Sequence, residues 1–160
     1  MQFTQSVSYP GTVDEVVAMY LTPAYLERRF GQFVVEGSAT VSVEGERVSF
    51  AGTVRPELIP AAAARFVKSD LRVSFTEEWA TNEAGATSRT SVTVDGAPVS
   101  VEATSTLTPA EAGSVRDVTG NVSVRVPLLG GRIEKEAVAH LGRVVEREQA
   151  LAAQWLEEHR

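Results

Sequence analysis

The sequence predicts an α+β chain in which a curved antiparallel sheet of six or seven strands wraps around one long C-terminal helix. Three observations predict it. Apolar and polar residues alternate with period 2 through most of the chain between residues 33 and 126, the mark of half-buried strands. Two short helical patterns follow the first strand. Beyond Gly131, no Pro and only one further glycine, Gly142, interrupt a helical composition that runs to Glu158.

Each element has its own signal. Phe3, Gln5, Val7 and Tyr9 share one face of the first strand, which Pro10-Gly11 ends. Thr12 or Asp14 can cap a helix over 12–21, and Pro23 opens a second over 23–30, broken at Gly31. Phe33, Val35, Gly37, Ala39, Val41 and Val43 then predict a long second strand that ends at Gly45. Val48, Phe50, Gly52 and Val54 form the apolar row of the third. The alanine-rich stretch from Ile59 to Val67 predicts a helix of one or two turns after Pro60. Leu71, Val73, Phe75, Glu77 and Trp79 share the next strand face. Residues 87–94 and 99–108 are Thr/Ser/Val-rich strands joined at Asp95-Gly96, and the former is the one in doubt between six strands and seven. Val118, Gly120, Val122, Val124 and Val126 form the clearest row, stopped by Pro127. A helix over 131–158 would be roughly 40 Å long, enough to cross a small sheet whose strands each have an apolar face to cover.

Composition removes whole classes of chemistry. The chain has 160 residues and is expected to be one domain, 1–160. It has no cysteine and only two histidines, His140 and His159. Disulfides, thiolate metal sites and cysteine nucleophiles are therefore excluded, and neither a metal nor another cofactor is expected. A formal net charge of −6 argues against a nucleic-acid partner. No run of 18 apolar residues exists, so integral membrane association is not expected. The first residues, MQFTQSVSYP, lack the basic and apolar regions of a signal peptide, and a cytoplasmic location is expected. No G-x-S-x-G elbow accompanies His140, and Leu129-Gly130-Gly131-Arg132 lacks the lysine and glycine spacing of a P-loop.

Several stretches carry a family resemblance. They are Phe3 to Pro10 with Val13-Asp14-Glu15-Val16, Thr76-Glu77-Glu78-Trp79, Gly96-Ala97-Pro98-Val99, and above all Val124-Arg125-Val126-Pro127-Leu128-Leu129-Gly130-Gly131-Arg132-Ile133-Glu134-Lys135. With the element order they resemble the helix-grip fold of the START/Bet v 1-like (SRPBCC) superfamily, and within it a mainly actinobacterial family of unknown function. The resemblance spans nearly the whole chain. It implies a ligand cavity between the sheet and the C-terminal helix, but no particular activity. Carriers, cyclases, hormone sensors and oxygenase domains share the superfamily.

Within such a cavity the expected lining is Phe50, Val73, Phe75, Glu77, Trp79, Ala103, Val122 and Val124, closed from the helix by Leu141, Val144 and Glu148. Gly37, Ala39, Gly52, Ala103, Ser105 and Gly120 are small and would leave room. Glu77 is the most informative polar residue, because alternation turns it inward with Phe75 and Trp79. A buried carboxylate needs donors or a cation. It could anchor a ligand, act as general acid or base, or make a structural bond, unless a bulge at Glu77-Glu78 turns it out. Glu148 lies in the helix stripe of Ile133, Ala137, Leu141, Val144, Leu151 and Trp155, with His140 at its margin. Glu77, Glu148 and His140 are thus the catalytic candidates. His140 and Glu148 are about 12 Å apart along the axis and cannot touch.

Three functions fit: a binding or transport protein for a small hydrophobic molecule, a cyclase- or dehydratase-like enzyme using a cavity carboxylate, or a filled structural or regulatory scaffold. A smooth apolar cavity favours the first. Convergence of Glu77 and His140 favours the second, and a packed interior the third.

Overall fold

A computed structural model describes the chain apart from Pro60, Phe66 and Lys68. In chain order it contains β1 (Gln2–Tyr9), α1 (Val13–Tyr20), α2 (Pro23–Phe30), β2 (Thr40–Glu44), β3 (Arg47–Thr53), α3 (Ala61–Ala64), β4 (Arg72–Asn82), β5 (Gly85–Asp95), β6 (Val99–Ala110), β7 (Gly113–Val124) and α4 (Gly130–Glu158). Seven strands form one antiparallel sheet in the order β1-β7-β6-β5-β4-β3-β2. This is the helix-grip architecture, with α1 and α2 inserted after the first strand. No described helix is long and apolar enough to cross a membrane.

Local chemistry sets the boundaries. Thr12 and Glu15 form a reciprocal capping box at α1, with backbone-to-side-chain bonds of 3.2 and 3.0 Å. Pro23 occupies the first turn of α2, where its missing N–H costs nothing. Gly130 opens α4 against β7. A Cβ there would meet the Val124 carbonyl oxygen at 2.1 Å, so only glycine lets the helix leave the strand so closely.

Two packed clusters occupy the inner face. Val7, Tyr9, Met19, Tyr20, Trp79 and Leu107 belong to the larger, together with Ala152, Trp155 and Leu156 from the C-terminal half of α4. Leu26, Val34, Val48, Phe50 and Phe75 form the second. A fully buried leucine such as Leu107 contributes about 1.5–3 kcal/mol.

The structure corrects the sequence reading over residues 33–39. The long second strand over 33–43 is cut to Thr40–Glu44. After α2 the chain turns through a 3-10 segment at Gly31–Phe33, which inverts the phase. Val34 is buried, bridging to Val54, and Val35 is 41% exposed. Gly37 takes φ +81° and, like Ala39, is exposed, so neither lies on the inner face. The helix expected after Pro60 in the stretch Ile59–Val67 is present as a single turn, Ala61–Ala64, within the one or two turns expected. Pro60 and Phe66 of that stretch lie outside the described residues.

Candidate functional site

An apolar cavity of about 390 Å³ lies at the end of the sheet where α4 begins. Val94, Val99, Val101, Val122 and Val124 form its sheet wall, and Ile133, Ala137 and Leu141 its helix wall. The remaining wall comes from β1 through Phe3, from the β5–β6 turn, and from Val54, Leu58, Ile59, Ala63, Val67 and Leu71. Every described lining residue is aliphatic, aromatic, proline or glycine. Among the described residues, nothing in its lining can donate, accept or move a proton through a side chain.

Beyond the cavity, toward the C-terminal half of α4, the inner face carries a buried ion network. Alternation along β4 turns Phe75, Glu77 and Trp79 inward, and Glu77 is 1% exposed. Its carboxylate is fully engaged. The Trp79 indole N–H donates to Oε1 at 3.0 Å, while Thr90, its direct partner across β5, donates to Oε2 at 2.7 Å. Arg116 of β7 donates from Nη2 to the same Oε2 at 2.9 Å. The Arg116 guanidinium also donates to Ser105 at 2.9 Å and Ser88 at 3.1 Å. These two serines are direct cross-strand partners, with their hydroxyls 2.5 Å apart.

Arg29, at the end of α2, couples this network to α4. Its Nη2 is 2.6 Å from Glu148 Oε1, and its Nη1 is 3.8 Å from Glu77 Oε1. The Tyr20 hydroxyl donates to Glu148 at 3.1 Å and lies 2.7 Å from that of Tyr9. Both guanidinium groups rest on aromatic faces. Arg29 lies 4.6–5.3 Å from the ring centres of Tyr20, Phe30 and Phe75, and Arg116 4.8–5.0 Å from those of Trp79 and Tyr20, in the range of cation–π attraction.

Electrostatics follows from this geometry. Burial alone pushes the Glu77 carboxyl up, but Arg116 and Arg29 outweigh it and hold the group below the ordinary carboxylate range. Burial raises Tyr20 well above an ordinary tyrosine, and the Glu148 charge adds to the rise. Burial raises Tyr9 and Tyr25 in the same direction. An ionised carboxylate saturated with donors is a poor proton donor or acceptor. The network is built to fix positions.

The expected lining is therefore divided. Val122, Val124 and Leu141 do face the cavity. Phe50 and Phe75 do not, because Phe30 packs on them with ring centres 5.1 and 4.6 Å away. Val73 packs into the same cluster. Trp79 is stacked on Tyr20 at 5.5 Å. The small residues are also used for packing rather than space. A Cβ on Gly52 would meet Val34 at 2.8 Å, and one on Gly120 would meet the Phe3 ring at 2.4 Å. Ala103, beside Gly120 in register, is likewise absent from the cavity wall. Glu77 and Glu148 belong to the ion network instead. Val144 is 45% exposed, because Val145 takes the packed position one residue on. With Glu148, Val144 lines a separate cleft of about 230 Å³ beside Arg29, Phe30 and Phe33. His140 is exposed on α4 and joins neither cavity nor network. Among the described residues, no three histidine or carboxylate side chains gather to hold a metal.

Sequence reasoning missed Arg116 and Arg29. The signal for Arg116 was present: two residues before Val118, it continues the inward row of β7. Arg29 had none, since a basic residue in the last turn of a short helix is ordinarily solvated.

Solved structures share the fold. The di-domain ARO/CYC StfQ from the steffimycin biosynthetic pathway matches with TM-score 0.61 and 12% identity, over 99% of this chain and 51% of that one. A conserved protein from Geobacillus kaustophilus gives 0.59 and 17%, over 98% and 94%. Norcoclaurine synthase from Thalictrum flavum, in complex with dopamine and hydroxybenzaldehyde, gives 0.58 and 13%, over 100% and 87%. At such identities the likeness concerns architecture alone. In sequence, an uncharacterized protein of Mycobacterium tuberculosis (strain ATCC 25618 / H37Rv) is 26% identical over 166 residues, covering 96% of this chain and 95% of its own length. One of Mycobacterium bovis matches equally. Residues 4–156 match one family throughout, and the chain belongs to it: the family described as "Protein of unknown function (DUF2505)".

Proposed function

We propose that this protein binds a small hydrophobic molecule, as a carrier or sensor, in the cavity between β5–β7 and the N-terminal half of α4. One observation carries the reading: a cavity of about 390 Å³ whose described lining residues carry no polar side chain. That volume falls within the usual range of small-molecule sites, about 300–1,000 Å³. Burial of apolar surface is then the main source of affinity, and shape the main source of selectivity. The norcoclaurine synthase structure, of the same architecture, was solved with two small aromatic molecules bound, which supports a cavity use of the fold. Against an enzyme reading, Glu77 and Glu148 are engaged with arginines, and His140 lies outside. We assign Glu77 and Glu148 the role of fixing α2 and α4 around the cavity rather than touching the ligand. The chain as a whole acts in this reading as one domain in the cytoplasm, a compartment that a cysteine-free composition suits.

The neutral fluorophore N-phenyl-1-naphthylamine tests the reading. It should bind saturably at one site of the native protein. Ala137→Trp places an indole in the cavity from an otherwise exposed helix position and should abolish binding without unfolding the chain. Absence of saturable binding by the native protein, or full binding by Ala137→Trp, refutes the proposal.

A further inference from the structure

The corner between β7 and α4 combines two anomalies in one side chain. Leu128 is fully exposed, at 103% of its reference surface. Among the described residues it is also the only one other than glycine with positive φ, at +70°. A leucine in the left-handed region carries backbone strain that glycine or asparagine would avoid. Folding therefore gains nothing from this leucine, by burial or by conformation, and strain of this kind is a pointer to function.

Its surroundings say what it meets. Val126 and Ile133, on either side of Leu128 in sequence, line the apolar cavity. Leu58 lines the same cavity and is itself 46% exposed, so apolar surface runs from the cavity out to solvent. Arg125, Arg132 and Lys135 are exposed around the corner, and none is ion-paired among the described residues. Of the nearby acids, Glu134 is turned to β7, where it accepts the Val124 N–H at 2.9 Å and meets the Met1 amino group at 3.5 Å. Glu136 is exposed on α4. The corner stays cationic in a chain of net charge −6.

We infer that this corner docks on an anionic lipid surface, with Leu128 inserted among the acyl chains and Arg125, Arg132 and Lys135 against the headgroups, setting the cavity mouth on the bilayer. One exposed leucine and three cations give weak, reversible attachment. Such attachment suits a protein that must leave the surface with its ligand. The inference extends the cavity reading but does not require the cavity to be occupied.

Flotation with vesicles of 70:30 phosphatidylcholine and phosphatidylglycerol at low salt tests it. The native protein should float with these vesicles and not with pure phosphatidylcholine, and 0.5 M salt should release it. Leu128→Gly should weaken partitioning by about tenfold, the value of burying a leucine side chain, while its melting temperature does not fall. Arg125→Gln with Arg132→Gln should weaken partitioning several-fold per charge. Ala137→Trp should float as the native protein does, whatever becomes of its fluorophore binding. Undiminished flotation of Leu128→Gly overturns the inference. So does native protein that ignores anionic vesicles but self-associates through Leu128 in sedimentation, which would make a second copy the occupant. Loss of flotation in Ala137→Trp would also overturn it, by making the cavity's contents the anchor.

Discussion

Arg116 on β7 and Glu77 on β4 meet at 2.9 Å although β6 and β5 lie between them. Three strand spacings amount to about 14 Å of flat sheet. The arginine crosses them along the inner face, and each intervening strand supplies a serine: Ser105 from β6 and Ser88 from β5. One side chain thus ties four strands together on the face that α4 covers. With Arg29 and Glu148, the tie reaches α4 and the C-terminal end of α2.

Breaking this tie should be costly. Arg116→Met removes the closest cation from a carboxylate that is 1% exposed, and loss of one partner from a buried pair costs about 3–5 kcal/mol. Glu77→Gln leaves Arg116 and Arg29 short of an anion and should cost a similar amount. Removing both charges leaves neither group orphaned. Urea denaturation should therefore show the double variant Glu77→Gln/Arg116→Met to be destabilised by at least 1 kcal/mol less than the sum of the singles. Strict additivity would mean that the two side chains act independently.

The same carboxylate sets an acid limit. Glu77 is held below its unfolded pKa by Arg116 and Arg29 against the opposing effect of burial. A depressed carboxyl pKa contributes stability that is complete above the unfolded value, about 4.3, and is lost as pH falls through the folded value. Denaturation midpoints should accordingly fall below about pH 4.3 in the native protein. The fall should be shallower in Glu77→Gln, which starts lower and has no such proton to take up. Parallel curves for the two proteins would remove Glu77 from the acid transition.

An alkaline counterpart concerns the tyrosines. All three in the chain, Tyr9, Tyr20 and Tyr25, are buried, and burial raises each. Stability from a raised pKa is complete below the unfolded value, about 10, and is lost as pH rises through the folded value. Absorbance at 295 nm should show no phenolate step near pH 10 while the circular dichroism stays native. All three should ionise together when the fold is lost. A single tyrosine titrating reversibly near pH 10 in the native state would contradict this packing.

Much of the architecture was legible because strands and the long helix carry strong periods. Alternation on β4 turned Glu77 inward, and Val122 and Val124 of the predicted β7 row line the cavity. Failures occurred where tertiary contacts choose between two local solutions. At residues 33–37, the 3-10 turn after α2 shifts the phase by one, so Val34 rather than Val35 is covered. On α4 the single predicted stripe divides. Ile133, Ala137 and Leu141 face the cavity, while Leu151 and Trp155 pack on the larger core cluster shared with α1 and α2. Nothing in the helix's own period reveals that change of partner. The cavity's position was misplaced for a related reason: Phe30 fills the space in front of Phe50 and Phe75, and only the docking of α2 on the sheet brings it there.

Phe30 covers Phe50 and Phe75 on the inner face, and its removal should open space there. The ring contacts Phe50 and Phe75 and lies under the Arg29 guanidinium at 4.6 Å. Phe30→Ala should cost about 3 kcal/mol, the low end for truncating a phenylalanine, because the side chain is only half-buried. The vacated space is walled by Phe50 and Phe75, and apolar voids of this kind stay dry and accept apolar guests. N-Phenyl-1-naphthylamine should then bind Phe30→Ala at a second site, one that Ala137→Trp does not block. If the doubly substituted protein folds and binds no fluorophore, the interior has closed over the gap, and Phe30 is a replaceable filler whose space its neighbours take up.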